Sequence, residues 1–177
     1  MLDSSKNSTM KRSGRTLRQR LYGLKHLGGY LRRARYFRGH GVHSPYVYSI
    51  VRQVFMQKRL RDGDHSLYEA LRKLGINERR STQLQNLLHH CDYASWAIDE
   101  LRDADMLLAS LDNDRLEEFA RYAEQQGKTL VVMYPYNNKE RWEACHRLIE
   151  AHPSTSVDNR AYLILFNNHL PRQRYRL

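Results

Sequence analysis

Residues 38–48 read RGHGVHSPYVY and combine residue types that can bind metals, grip anions or act as nucleophiles. His40 and His43 are three positions apart, and a second cluster follows at His89, His90 and Cys91. A zinc site needs histidine or thiolate ligands that converge from paired turns at characteristic spacings. No such spacing connects the two clusters, so we predict no metal site and assign these histidines to helix caps or to the surface.

Glycines beside a helix start let backbone N–H groups approach an anion, and Gly39 and Gly41 lie next to Arg38 and His40. The sequence contains neither the dinucleotide pattern GxGxxG nor the P-loop pattern GxxxxGK(S/T). Ser44 has no nucleophile-elbow context and no aspartate nearby that would orient a histidine. The segment therefore predicts an anion-tolerant helix start, with no catalytic residue.

The element that this segment begins is a helix. Ser44 is a favoured N-cap and Pro45 a favoured first helical residue, and apolar residues then recur at helical spacing up to Gln57. Upstream, residues 16–37 carry leucines at spacings of three and four opposite a basic face. This basic amphipathic helix suits a membrane surface, a nucleic acid or the protein's own domain.

The charge of the chain is concentrated at its N-terminal end. Residues 1–61 hold 15 Lys and Arg against one acid, whereas residues 62–177 hold 15 against 18, for a total of +11. A basic leader on a near-neutral body indicates a polyanionic partner, unless it is a solvated tail. Interleaved tyrosines suit stacking on bases or packing on the domain. The candidate anion-binding residues are Arg18, Lys25, Arg32, Arg33, Arg35, Arg38 and His40.

The organisation changes along the chain from a polar tail to helices and then to alternating strands and helices. We predict a disordered tail over residues 1–15, a basic helical region over 16–95 and an α/β domain over 96–177. Apolar runs predict strands at 106–111, 129–133 and 161–166, with a short fourth at 173–177. The fold class is therefore α/β, with a small, partly parallel sheet of about four strands, crossover helices and a helical N-terminal layer.

Acidic residues gather around the first of these strands. Ligands in open α/β sheets bind beyond the carboxyl ends of the strands, which makes Asp112 and Asp114 candidates for a binding site. The alternative is that Asp112 or Asn113 caps the following helix, as Asn138 is expected to cap the next one.

The stretch GHGVHSPYVYSIV resembles the N-terminal signature of a bacterial group of class I AdoMet-dependent methyltransferase-like proteins. The stretch ADMLLASLDNDRLEEFARYAEQQG is similar to their fourth strand and the helix after it, and residues 129–177 resemble their fifth strand, its helix and the terminal hairpin. The resemblance implies an incomplete Rossmann-like methyltransferase sheet. Its motif residues are Gly39, His40, Gly41, His43, Ser44 and Pro45.

The chain departs from this family where the cofactor binds. The helical region ends near Trp96 and the fourth-strand equivalent begins near Asp105, which leaves no room for the family's first three strands and glycine-rich loop. Met133 and Tyr134 replace the acidic pair after the fifth strand. We therefore expect a truncated, degenerate relative that holds no cofactor, is not catalytic, and binds RNA, another polyanion or a protein partner through its basic region. Homodimerisation through an exposed sheet edge is also expected.

Two alternatives stay open. One is an AdoMet-dependent methyltransferase with a remodelled pocket near Asp112, Asp114 and Tyr136, and the other is a membrane-surface or structural adaptor that uses the 16–37 helix. No apolar stretch approaches the roughly 20 residues that span a bilayer, and the N-terminus lacks the apolar core of a secretory signal. With two cysteines at unrelated positions we expect a cytoplasmic protein, although a Ser- and Arg-rich N-terminus is also typical of a transit peptide.

Overall fold

The computed structural model describes residues 42–177, and its first element is the helix that the sequence predicts at Ser44. Helix α1 spans Pro45–Ile50, with Pro45 in its first turn and the Ser44 side chain accepting a hydrogen bond from the Val47 backbone N–H at 3.4 Å. Ser44 and Pro45 therefore act as predicted. The chain continues as a π-helical segment, Val51–Phe55, in which the Met56 N–H donates to the carbonyl five residues back.

Two further helices of the described residues belong to this N-terminal layer. Helix α2 spans Ser66–Lys73 and helix α3 spans Glu78–His90. Leu84, Leu87 and Leu88 form one apolar face of α3, but all eight residues of the segment 81–88 are buried. Their polar side chains pair with neighbouring segments: Gln83, for example, donates to the Phe55 carbonyl at 2.9 Å and accepts from the Tyr162 hydroxyl.

Across residues 42–177 the sheet has six strands, whereas the sequence predicts about four. They are β1 (Trp96–Ile98), β2 (Met106–Ala109), β3 (Thr129–Met133), β4 (Ser156–Asp158), β5 (Tyr162–Leu165) and β6 (Arg174–Arg176). Their spatial order is β1-β2-β3-β5-β4-β6. The first three strands are parallel, β5 is antiparallel to β3 and β4, and β6 is parallel to β4. The prediction of a partly parallel sheet is confirmed.

The two strands that the sequence analysis missed, β1 and β4, have three residues each, too few for a periodic apolar pattern to be visible. Strand β1 joins β2 through residues 99–105 alone. Adjacent parallel strands are usually joined by a crossover of a dozen or more residues, so this link is unusually short.

Helices cover both faces of the sheet. Alternate strand residues such as Leu108 and Val131 pack against the N-terminal helical layer, and their neighbours Leu107 and Val132 pack against the helices that follow β2 and β3. These are α4 (Leu116–Gln125) and α5 (Lys139–Ala151). The result is a three-layer arrangement with a core on each side of the sheet. Among residues 42–177, no helix is long and apolar enough to cross a membrane.

The two crossover helices begin differently from each other. Asn138 caps α5 as predicted, with its side-chain oxygen accepting from the Arg141 backbone N–H at 2.7 Å. The prediction that Asp112 or Asn113 caps α4 is wrong, because Arg115 occupies the N-cap position without a side-chain bond. Asn113 instead accepts from the Arg115 N–H at 2.9 Å, in a turn that precedes the helix.

Candidate functional site at the carboxyl edge of the sheet

The carboxyl ends of β1, β2, β3 and β4 meet at one edge of the sheet, which is where open α/β sheets bind ligands. Three residues at this edge, Asp99, Tyr134 and Arg160, have φ angles of 56°, 52° and 67°. The left-handed backbone conformation is costly for residues other than glycine, and such residues cluster at functional sites. This edge is therefore the candidate functional site of the described chain.

The Asp99 carboxylate connects the ends of the first two strands. Its Oδ1 accepts hydrogen bonds from the Ser110 backbone N–H at 2.8 Å and from the Asn113 side-chain amide at 2.9 Å. Asn113 is itself buried. The acid that faces into the edge is thus held by two protein donors.

Arg141 fills the space between the ends of β2 and β3. Its buried guanidinium donates five hydrogen bonds to four backbone carbonyls, those of Ser110, Leu111, Asn113 and Met133, at 2.5–3.2 Å. Burial lowers the pKa of this group, and the nearby Asp99 and Asp112 carboxylates oppose that shift. An arginine has five N–H donors, so all of them are used to tie these two loops together.

Aromatic rings line the other half of the edge. The Arg80 guanidinium, from the first turn of α3, lies 5.1 Å from the centre of the Tyr134 ring. The Tyr136 ring stacks on Trp142 of α5 at 4.6 Å, and its hydroxyl donates to the buried carboxylate of Asp158 at the end of β4. The edge therefore carries acids near β1 and β2, and rings with arginine near β3 and β4.

The three residues that the sequence proposed for a remodelled pocket are only partly brought together. Asp112 and Asp114 are exposed and lie in the loop that Arg141 holds, whereas Tyr136 points to Asp158 and Trp142. The acids that contribute to the edge are Asp99 and Asp158. The sequence signal for Asp99 was its position directly after a short apolar run, WAI, whereas nothing in the sequence singles out Asp158.

Most of the other predicted site residues lie outside the part of the chain that the structure describes. These are Arg18, Lys25, Arg32, Arg33, Arg35, Arg38, Gly39, His40 and Gly41. Of the remaining motif residues, His43 is exposed, and Ser44 and Pro45 begin α1.

The second histidine cluster is engaged with protein groups. The Gln85 amide lies 3.0 Å from His89 Nε2, and Ser49 Oγ lies 3.0 Å from His90 Nε2. Because Ser49 already donates to the Tyr46 carbonyl at 2.7 Å, the His90 nitrogen is the donor in that pair. Within residues 42–177, no group of three or more His, Cys, Asp or Glu side chains is arranged to hold a metal ion.

Cys91 lies at the opposite end of α3 among phenol groups. Its Sγ is 3.6 Å from the Tyr46 hydroxyl, and the neighbouring Tyr93 hydroxyl is 2.6 Å from Thr129 Oγ1. Burial raises the pKa of Cys91, and also that of Tyr46 and of Tyr93. The thiol is therefore held in its protonated, weakly nucleophilic form.

The residues at the carboxyl edge do not fit AdoMet as the family resemblance would require. The sequence has no glycine between Gly75 and Gly127, so neither β1 nor β2 is followed by a glycine-rich turn. At the end of β1 the chain turns at Asp99, whose carboxylate is bonded to the β2 loop, and the next gap is filled by Arg141. In Rossmann-like sheets a nucleotide cofactor binds in these gaps between the carboxyl ends of the strands, and here protein side chains fill them.

Comparisons of the chain with protein-family models, with curated proteins and with solved structures find no match.

Proposed function

We propose that this protein is a methyltransferase-like chain without the cofactor-binding half, and that it acts by binding RNA through its basic N-terminal region. The observation that carries the proposal is the charge of residues 1–61, which hold 15 Lys and Arg against one acid. Neutralising phosphates with such residues releases counterions, which supplies sequence-independent affinity.

The topology of the described domain supports the methyltransferase-like origin. Strands β2 and β3 with helices α4 and α5, followed by the antiparallel hairpin β4–β5, have the order expected of the fourth and fifth strands and the terminal hairpin. Upstream of β2 there is one three-residue strand and a seven-residue link where the family has its first three strands.

The self-pairing of polar groups at the carboxyl edge supports a binding role over a catalytic one. In residues 42–177, every buried side-chain nitrogen and oxygen has a hydrogen-bond partner. Catalytic sites usually keep polar groups poised for a substrate. Here Asp99 is bonded to the loop after β2, Arg141 to backbone carbonyls and Asp158 to the Tyr136 hydroxyl.

The charged side chains at the two sheet edges disfavour self-association of the chain through strand pairing. On β1, the Arg102 guanidinium donates to the Trp96 carbonyl at 2.7 Å, and on β6 the side chains of Arg174 and Arg176 are exposed. Charged side chains at edge strands oppose pairing with another strand. Light scattering of the purified chain tests the point, and a monomer is expected.

The experiment that tests the RNA proposal is a salt titration of binding to a fluorescein-labelled single-stranded RNA, followed by anisotropy. The triple variant R32Q/R33Q/R35Q of the full chain should lower the slope of log K against log salt by about 2, at roughly 0.7 per phosphate contact. The matched control is R115Q/R121Q/R147Q, which removes three arginines near α4 and α5 and should leave the slope unchanged.

Vesicles containing an anionic lipid form the second arm of this experiment. If the N-terminal variant loses vesicle binding while its RNA affinity and salt slope match those of the parent chain, the RNA proposal fails and the membrane-surface adaptor replaces it. If both triple variants change the slope equally, the N-terminal region has no special role.

A further inference from the structure

A second basic and aromatic surface lies on the described domain, far along the sequence from the N-terminal region. We name it the α5–β6 stripe, and it consists of Tyr136, Trp142, His146, Glu150, Arg172, Arg174 and Arg176. Tyr136 and Trp142 also line the carboxyl edge, whereas the arginines of the stripe belong neither to that edge nor to the proposed function.

The aromatic half of the stripe consists of three rings on and beside α5, those of Tyr136, Trp142 and His146, which we call the ring ladder. Trp142, His146 and Glu150 follow one another at four-residue spacing on α5, so they share one face of the helix. The rings of Tyr136 and Trp142 stack at 4.6 Å with an interplanar angle of 16°, and the His146 ring meets Trp142 edge-on at 5.5 Å. His146 is exposed, and the other two rings are half-buried.

The strand half of the stripe is a row of arginines. Because side chains alternate along a strand, Arg174 and Arg176 lie on the same face of β6, whereas Tyr175 packs toward the N-terminal layer. Arg174 Nη1 lies 2.5 Å from Glu150 Oε1, which places the row beside α5.

Glu150 contacts two of the three arginines of the stripe, Arg172 and Arg174. The Arg172 guanidinium donates to the Glu150 backbone carbonyl, and His146 Nε2 lies 4.0 Å from the Glu150 carboxylate. The stripe thus holds three arginines and one glutamate, whose carboxylate pairs with Arg174. Asp158, at the end of β4, is 3% exposed and accepts a hydrogen bond from the Tyr136 hydroxyl, and Glu143 of α5 pairs with Lys139. The surface therefore has a net positive charge next to a stack of rings.

This combination fits a single-stranded nucleic acid better than an acidic peptide or a duplex. Guanidinium groups bind phosphates bidentately, and aromatic rings offer stacking platforms for unpaired bases. An acidic peptide would use the arginines but not the rings, and the bases of a duplex are already stacked on each other. The exposed arginines on β6 also disfavour the addition of a peptide strand.

We propose that the α5–β6 stripe is a contact site for single-stranded RNA, in which the β6 arginines bind phosphates and the ring ladder stacks a base. The proposal rests on the RNA-binding function proposed above and adds a site whose residues all lie within the described domain.

The direct test uses the fluorescence of Trp142 in the full chain. The chain has two tryptophans, and W96F leaves Trp142 as the reporter while keeping a ring near Ser66, to which the Trp96 indole N–H donates. Titration with a single-stranded oligouridylate should quench Trp142 with a saturating curve, because a stacked base contacts the ladder. Poly-glutamate of equal charge should not quench it. Absence of quenching at RNA concentrations that saturate binding by anisotropy, or equal quenching by poly-glutamate, overturns the proposal.

The energetic test uses two variants of different kinds. W142L removes the central ring and should weaken RNA binding about 5- to 150-fold, the range measured for base stacking. R176Q alters an exposed side chain only, so folding is not at stake, and should lower the salt slope by about 0.7. The matched control is R121Q, an exposed arginine on α4, for which no change is expected. If R176Q and R121Q are indistinguishable, the stripe does not contact phosphates.

The outcomes separate this proposal from the proposed function. If R32Q/R33Q/R35Q lowers the salt slope but R176Q does not and Trp142 is not quenched, the N-terminal proposal stands and the stripe fails. If Trp142 is quenched equally in the parent and in the N-terminal variant and that variant keeps the parent slope, the stripe stands and the N-terminal proposal fails.

Discussion

Arg141 should be the residue of the described domain whose replacement is most damaging to stability. Its five charge-assisted hydrogen bonds hold the loops after β2 and β3. Removing the guanidinium leaves the accepting carbonyls without these donors. Hydrogen bonds to charged groups contribute about 1.5–3 kcal/mol each, but the sum of five overstates the effect because removal also relieves the burial of the charge. Each buried carbonyl left without a donor costs about 1–3 kcal/mol, so with partial relaxation of the four carbonyls we expect R141M to cost about 3–5 kcal/mol.

Urea unfolding followed by far-UV circular dichroism measures the loss. With a denaturant slope of about 2 kcal/mol/M, the midpoint of R141M should fall by about 2 M with the slope unchanged. R147M is the control on the same helix, because Arg147 is exposed and its pair with Glu117 at 2.9 Å should contribute less than about 1 kcal/mol. R141K distinguishes charge from geometry, since an ammonium has three donors instead of five. A midpoint shift below about 0.5 M for R141M, or an R141K variant as stable as the parent, would refute the assignment.

Three other outcomes are expected from the described contacts. Burial lowers the pKa of His90 and of His152, so the unfolded state takes up protons first as the pH falls below about 6.5. The free energy of unfolding measured with urea should therefore be lower at pH 5.5 than at pH 7.5. The difference between the two pH values should be smaller in H152N. Burial raises the pKa of Cys91, and that of Cys145 to about 12, so mass spectrometry should find neither thiol alkylated by iodoacetamide in the native protein at pH 8 and both alkylated in urea. The Asn86 side chain bonds two backbone groups of the 57–65 loop at 2.9–3.0 Å, so N86A should lose about 1–3 kcal/mol and expose that loop to trypsin, and an unchanged cleavage pattern would contradict this role.

The sequence predicts the parts of this fold that depend on local chemistry. The Ser44 and Asn138 caps are confirmed because their side chains act on N–H groups three residues away, within the same short segment. The apolar runs that form β2, β3 and β5 are also evident, since buried strands are continuous blocks of apolar residues. Both kinds of signal are contained within a few consecutive residues.

The features that the sequence does not predict depend on partners that are distant in the chain. Strands β1 and β4 have only three residues each and exist because a neighbouring strand pairs with them. The buried polar face of α3 could not be predicted from the sequence of that helix, because the Gln83 side chain forms hydrogen bonds with groups 28 and 79 residues away. The same holds for the candidate site, where Asp112 and Asp114 attracted attention by composition and Arg141 and Asp158 matter by contact.

The division of polar groups within the domain indicates where recognition takes place. At the carboxyl edge, Asp99, Arg141 and Asp158 are each bonded to other protein groups, so a ligand that bound there would first have to break those bonds. On the α5–β6 stripe, three exposed arginines accompany one glutamate and the rings are partly exposed, so phosphates and a base can reach them from solvent. A bound ligand gains affinity only from interactions that exceed those it replaces. We therefore expect the sheet edge to serve as a rigid support, and RNA to be bound on the surfaces where arginines are in excess.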